Sequence, residues 1–240
     1  MRIIVMTDSH ANLPALQAAL KEIRKNGYDV IVHTGDAVAI GPYPVECLDL
    51  LFDTPNIRFV MGNHETYYVD GIPKPQPQWS MSDGEVQHQL WTHSELGPGP
   101  RKLMARWPYS LDIEENGTKA TFVHFPLDSS GRDFQRIRLI EPTVSELDAA
   151  FSSAPSSVIF CGHEHSAFDV EGGRRYVNPG ALGCSTDPIA RYCSLEITGR
   201  GFTVEHLAAE YDRTALFQAF EERKVPERQF IQRNFFGRDI

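Results

Sequence analysis

Five short apolar runs, each stopping at a cluster of polar residues, constrain this chain more than any other feature. The first run, residues 3–6, ends in Asp8-Ser9-His10. The second, 30–32, leads to Gly35-Asp36, and the third, 57–61, to Gly62-Asn63-His64-Glu65. Residues 120–123 run into His124, and 158–161 into Gly162-His163-Glu164-His165. Apolar runs this short, between turn signals, read as buried strands. Helical patterns alternate with the first three. Leu16, Ala19, Leu20 and Ile23 recur at helical spacing behind Pro14 until Asn26-Gly27 stops them, and residues 45–52 form a second such pattern. Strand–helix–strand–helix–strand at these lengths predicts an α/β fold around a parallel sheet with right-handed crossovers. Ligands of such sheets gather beyond the C-terminal strand ends, so all five clusters are predicted to share one rim.

The pattern then changes. Residues 66–108 contain Trp79, Trp91 and Trp107 and read as a helical insertion, with a helix over 82–96 opened by the capping box Ser82-Asp83-Gly84-Glu85. The insertion is placed to cover the rim. At least two of its tryptophans are expected to be core, and one is a candidate to stack on a base. A strand is predicted over 109–113 and a helix over 143–151. Strands over 168–170, 175–177, 192–197 and 202–207 are predicted to form a second, more antiparallel sheet. A helical tail fills residues 211–240, and the whole of 1–240 reads as one domain. His33 and His206 read as ordinary strand residues, and His88 and His93 as surface or packing residues.

With 23 basic and 32 acidic side chains the formal charge is −9, which disfavours stable nucleic-acid binding and membrane-surface attachment. Cys47, Cys161, Cys184 and Cys193 contain no CxxC pair, so neither a zinc ribbon nor a redox pair is indicated. A reducing, cytoplasmic setting is expected. The N-terminal apolar run is too short for a signal peptide, and no run approaches the ~20 residues of a membrane helix.

The polar clusters suit a two-metal site. Asp8, His10, Asp36, Asn63, His124, His163 and His165 are seven donors; with Asp36 used twice, each of two ions receives four bonds. Mixed nitrogen and oxygen donors without thiolate favour Mn, Fe, Zn, Ni or Co. Asp8 and His10 are two apart, as are His163 and His165, and in extended backbone each pair points to one side while Glu164 points away. Singly these clusters are weak, since a histidine at a strand end is usually structural and Gly-Asp is often only a turn. All five in this order, each at a strand end, carry the assignment.

The same series resembles the calcineurin-like metallophosphoesterase superfamily, over about residues 1–200, and Asn178-Pro179-Gly180 is similar to its small bacterial and archaeal members. The resemblance implies a four-layered α/β/β/α sandwich and a dinuclear centre. Asp8, His10, Asp36 and His165 would hold one ion; Asp36, Asn63, His124 and His163 would hold the other. His64 would be the catalytic histidine of a metal-dependent phosphoesterase. The expected substrate is a small phosphodiester or a nucleotide such as a diadenosine polyphosphate. A protein or small-molecule phosphomonoester is the alternative, and a non-catalytic scaffold on the same fold is the alternative of another class. His64 alongside all seven donors argues against the scaffold. Three positions depart from the usual pattern. Glu65 stands where aspartate is usual and is expected to orient His64 from a longer arm; Phe125-Pro126 follows His124 in place of glycine; Glu164 stands where threonine is frequent. Ser9, Asn12, Asn178 and Arg132 are candidate substrate contacts. Arg136 and Arg138 join Arg132 as candidate contacts for a second phosphate, the alternative being a solvated loop.

Overall fold

Strand β1 (Arg2–Met6) shows how the sequence generates the layers. Its side chains alternate between two faces. Ile4 and Met6 enter one core with Ala15, Leu16, Ala19, Leu20 and Ile23, while Ile3 and Val5 enter another with Phe122, Phe160 and Val177. A strand buried on both faces reads as a continuous apolar run, which is why no alternation is visible in the sequence.

The computed structural model describes residues 1–73 and 81–238, so Trp79 lies outside the described residues. After β1 come α1 (Leu13–Asn26), β2 (Val30–His33), α2 (Pro44–Phe52), β3 (Ile57–Phe59) and α3 (Asn63–Asp70). The insertion supplies α4 (Asp83–Leu96) and α5 (Arg101–Met104). Then follow β4 (Ser110–Glu115), β5 (Thr118–Val123), α6 (Val144–Ala150), β6 (Val158–Phe160), β7 (Phe168–Glu171) and β8 (Arg175–Asn178). The hairpin β9 (Ile189–Thr198) and β10 (Gly201–Glu210) precedes α7 (Thr214–Glu222) and α8 (Arg228–Phe236).

Two five-stranded mixed sheets result, ordered β10-β9-β1-β2-β3 and β4-β5-β6-β8-β7. Between them lies the core of Ile3, Val5, Phe122 and Phe160, with the two phenylalanine rings stacked at 5.4 Å. Outside the first sheet pack α1 and α2, and outside the second packs α6 through Leu147, Ala150 and Phe151. These are the four layers of an α/β/β/α sandwich.

One expectation is corrected. Strands near 192–197 and 202–207 do not join the second sheet. They form the β9–β10 hairpin, and β9 pairs antiparallel with β1, Ile3 opposite Leu195. The period-2 pattern marks a strand without saying which open edge it will cover. Helix starts were easier to read: Ser82 and Thr143 each accept from the backbone N–H three residues on, and Glu85 and Glu146 reach back to the cap. Among the described residues no helix is long and apolar enough to cross a membrane.

Candidate active site

The loops beyond β1, β2, β3, β5 and β6 meet at one rim, and they do so through unusual backbone. Asp8, His10, Asp36, His163 and His165 all have φ between 45° and 71°. The Asp8/His10 and His163/His165 pairs are therefore not in extended backbone, as the spacing suggested. Left-handed residues cost roughly 1–2 kcal/mol each, so five at one rim mark a place where conformation is held by its surroundings. Gly35 is part of that frame. Its φ is 98°, and a Cβ there would lie 2.7 Å from Gly62 Cα and 2.9 Å from His124 Nδ1.

All seven expected donors come together. His10 Nε2 lies 2.8 Å from His165 Nε2, and both lie within 3.5 Å of Asp8 Oδ1. Asn63 Oδ1 is 3.0 Å from His124 Nε2 and 2.9 Å from His163 Nδ1, and His124 Nε2 is 3.2 Å from Asp36 Oδ2. Asp36 belongs to both groups, being close to His10 and His64 on one side and to His124 and His163 on the other. The Cys184 thiol also lies close to His10 and His165, with burial holding its pKa well above the usual value.

The carboxylates divide their oxygens between frame and site. Asp8 Oδ2 accepts from Thr7 Oγ1 at 2.6 Å and from the His163 N–H at 3.0 Å, whereas buried Asp8 Oδ1 has no hydrogen-bond partner. Asp36 Oδ1 accepts from the His64 N–H at 3.0 Å while Oδ2 faces the imidazoles. An orphaned buried carboxylate oxygen among imidazole nitrogens fits a cation. Asn63 supports the same reading. Its oxygen faces ring nitrogens that are acceptors when the imidazoles are neutral, an arrangement that a cation satisfies; without one, the amide is satisfied turned end for end, its nitrogen 3.2 Å from Asp36 Oδ2. Two histidines are pre-aimed: His124 Nδ1 lies 3.0 Å from the Thr34 carbonyl and His10 Nδ1 3.4 Å from that of Val38, leaving Nε2 of each for the site.

Charge follows geometry. Burial alone would raise the Asp8 carboxyl, but the His10 and His165 imidazoles beside Oδ1 hold it well below the usual range. Asp36 is held low in the same way, by the charges of His124 and His64 against burial. Burial would lower His124, yet the Asp36 charge lifts it to about 9, while burial takes His10 and His163 down to about 4.

Glu65 does not orient His64. It is buried and its carboxylate accepts the backbone N–H groups of Asp36, Ala37, Val38 and Gly62, at 2.7 to 3.3 Å. It fixes the loop that presents Asp36; burial and the Asp36 charge push its pKa up to about 7. The residue that holds His64 is Gln89 of α4, whose Nε2 lies 2.6 Å from His64 Nδ1. His64 is also not offset from Asn63 by strand alternation. Both open α3, and the ~100° turn between successive helix residues separates them.

The candidate substrate contacts lie elsewhere. His33 Nδ1 accepts from the Gly35 N–H at 3.3 Å, which leaves Nε2–H for Ser9 Oγ at 2.9 Å. Asn12 caps α1 through Ala15 N and donates to the Gly183 carbonyl. Asn178 donates to the Gly162 carbonyl and accepts from Gly180 N. Exposed Arg132 lies over the Tyr109 ring. None of the four lines the cavity at the donor cluster. Glu164 accepts from Leu139 N at 3.1 Å and lies 3.8 Å from Arg138, tying the 126–142 loop to the rim. Trp107 stacks on Phe59 at 4.3 Å in the core and half-buried Trp91 packs against the tail; neither lines the cavity at the donor cluster.

Sequence reasoning missed Gln89 and the tail. Glu85, His88, Gln89 and Thr92 recur three and four apart, a polar stripe on one face of a predicted helix that signalled a buried polar contact. His88 is a clasp: Nε2 accepts from Ile40 N at 2.7 Å and Nδ1 lies 3.2 Å from the Pro226 carbonyl, joining the Asp36 loop to the tail.

Two expected outcomes follow from α4. Burial lowers His88 to about 4, against the usual 6.5, so the unfolded chain binds the proton first as pH falls. Its contribution is intact above pH 6.5 and is lost between 6.5 and 4, by up to ~3 kcal/mol. Urea midpoints of wild type and His88→Gln should therefore converge as pH falls through that window; parallel profiles would remove His88 from the account. If His64 serves a leaving group, Gln89→Leu should lower kcat roughly 10-fold on an ester with a poor leaving group and less on a good one, because it loosens His64 and leaves the donor cluster intact. A Gln89→Leu protein that loses bound metal would place Gln89 in a different role.

Comparison with known proteins agrees with this architecture. The sequence profile of the calcineurin-like phosphoesterase superfamily domain matches residues 1–200. An uncharacterised protein of Methanocaldococcus jannaschii is 31% identical over 98% of this chain and 98% of its own length. A crystal structure of a metallophosphoesterase from Sphaerobacter thermophilus superposes with a TM-score of 0.71 at 25% identity, covering 97% of this chain and 98% of that one. A symmetrical bis(5'-nucleosyl)-tetraphosphatase of Haemophilus ducreyi is 35% identical over 82 residues, 32% of this chain and 30% of that protein. With the profile spanning the rim loops and the archaeal relative aligned nearly end to end, the chain belongs to the calcineurin-like phosphoesterase superfamily.

Proposed function

We propose that this chain hydrolyses small phosphodiesters at a dinuclear metal centre. The observation that carries the reading is Asp8 Oδ1, a buried acceptor without a partner that faces two imidazole nitrogens. Asp8, His10, Asp36 and His165 are assigned to one ion, and Asp36, Asn63, His124 and His163 to the other. Two divalent ions bound there supply Lewis-acid charge to the phosphoryl oxygens and lower the pKa of a water toward neutrality.

The rest belongs to the chain. Each of the two carboxylates spends one oxygen on the frame, so the other is held in place before any ligand arrives. His64 Nε2 lies 3.8 Å from Asp36 Oδ2 with its other nitrogen on Gln89, which turns Nε2 toward the cluster. It is assigned the proton delivered to the leaving oxygen. With the amide nitrogen donating, Nδ1 accepts and Nε2 carries the hydrogen; turned end for end, the same amide accepts Nδ1–H of an imidazolium. Helices α4 and α8 wall one side of the centre.

A diester is preferred to a dinucleoside polyphosphate because no lysine or arginine lines the cavity among the described residues, leaving a second phosphate without a partner. The partial similarity to the tetraphosphatase supports phosphoester chemistry at the rim and is too short to carry a substrate. The test is a screen of protein loaded with Mn, Ni, Co or Zn against bis-p-nitrophenyl phosphate, p-nitrophenyl phosphate and diadenosine tetraphosphate. Turnover of the diester, abolished by EDTA, is expected. No turnover with any metal on either nitrophenyl ester would favour the scaffold reading.

A further inference from the structure

The cavity beside the donor cluster has a second wall, part of which comes from outside the superfamily match. It encloses about 260 Å³. One side is the rim itself, through Asn63, His64, His163 and His165. The other carries three aromatic rings, Tyr67, Phe230 and Phe235, and two carboxylates, Glu85 and Glu227. Phe230, Phe235 and Glu227 lie beyond residue 200, where the profile ends.

That wall is built into the fold. The tail has its own core, in which Ile231 and Phe236 pack with Leu216, Phe220 and Val225 against Ile40 of the Asp36 loop and Cys184. The His88 clasp holds the turn before α8 in place. Gly84 admits the Glu227 side chain, whose carboxyl carbon would lie 2.5 Å from a Cβ there. Phe235 meets the His165 ring at 5.9 Å, so the tail touches the donor cluster itself.

The charge of the wall is one-sided. Neither Glu85 nor Glu227 pairs with a basic side chain among the described residues, and Arg228, beside Glu227, is turned to Glu221 at 2.7 Å. Arg136 pulls on the Tyr67 hydroxyl through space and is not on the wall. Gln89, only 3% exposed, lines the cavity with its Oε1 buried and unpartnered, an acceptor that the polarised C–H groups beside a cationic nitrogen could face. Aromatic faces and unpaired carboxylates attract a cation with apolar surface and repel an anion.

Resting on the phosphoester reading above, we infer that this cavity is the leaving-group subsite and that it takes a quaternary-ammonium alcohol. The scissile phosphate would sit at the rim with the ammonium between the rings and the two glutamates. A leaving group bearing another phosphate would meet both carboxylates.

Three alcohols of similar size separate charge from shape: choline, its neutral isostere 3,3-dimethyl-1-butanol, and the anion 2-hydroxyethanesulfonate. Each is titrated into metal-free protein by ligand-observed NMR, and the methyl phosphodiester of each is assayed with Mn-loaded protein. Choline is expected to bind roughly 10-fold more tightly than the isostere, and the anion not measurably. The double variant Glu85→Gln, Glu227→Gln should bring the choline-to-isostere ratio close to one in both binding and kcat/KM. Phe230→Ala should weaken choline and the isostere together. Anion binding equal to that of choline, or a choline preference untouched by the double variant, overturns the assignment. Hydrolysis of all three esters without charge preference removes the subsite and leaves the phosphoesterase reading intact. Choline binding that responds to the glutamate variants, with no ester hydrolysed, removes the phosphoesterase reading and keeps the cation site.

Discussion

Asp36→Asn should strip metal from both positions at once. Among the described residues Asp36 is the acid shared by both donor groups, with Oδ2 3.2 Å from His124 Nε2 and the same side chain near His10. The substitution keeps shape, and an amide can still accept the His64 N–H that Asp36 Oδ1 takes at 3.0 Å. On the proposed assignment it removes negative charge between two cations, where a bridging carboxylate would offset their mutual repulsion. Even the partners that orient ligands cost 10–100-fold in metal affinity or activity, so losing the bridge should cost ~10²-fold or more in kcat/KM. Elemental analysis after Mn loading should approach two metals per chain for wild type and fall below one for Asp36→Asn. Asp8→Asn is the comparison. The free oxygen of Asp8, Oδ1, faces only the imidazoles of His10 and His165, so its loss should empty chiefly one position. Two full positions in Asp36→Asn would end the bridging assignment.

The rim was legible in the sequence because strand ends are. An apolar run followed at once by Asp, Asn or His announces both a buried strand and what its loop carries, and five such ends fix a rim without any knowledge of the packing. What stayed hidden was of three kinds. Conformation was hidden, since spacing of two suggested extended backbone where Asp8, His10, His163 and His165 are left-handed. Partner choice was hidden as well. A carboxylate beside His64 invited an ion pair, but Glu65 is buried among four backbone amides, and each amide would be costly to leave unpaired. Long-range closure was the third. Nothing in the pattern of 211–240 says that Phe230 and Phe235 return to the rim. Their docking depends on Ile40 and Cys184, far away in sequence, and on the shape of the hairpin that carries the tail across.

His64→Ala separates a ligand from an acid. Geometry alone allows His64 either role, because Nε2 lies within reach of His10 and Asp36. Three features favour the acid. The Asp8 and Asn63 groups have their full sets of donors without it. Its ring is held by Gln89, a residue outside both groups. Its backbone N–H, which braces Asp36, survives truncation to alanine. The variant should therefore fold, bind two metals and fail late. A proton is needed most where the leaving group is basic, so kcat on an alkyl phosphodiester should fall roughly 10²–10⁴-fold. On bis-p-nitrophenyl phosphate the loss should shrink, since p-nitrophenolate leaves without help. His163→Ala should lose metal together with activity on both substrates, because His163 Nδ1 lies 2.9 Å from Asn63 Oδ1 in the other group. Measured side by side, the two variants should differ in metal content by about one ion and in leaving-group dependence by about one to two orders of magnitude. Should His64→Ala lose an ion, or keep its full rate on the alkyl ester, His64 is a ligand or a bystander, and the proton at the leaving oxygen must come from elsewhere.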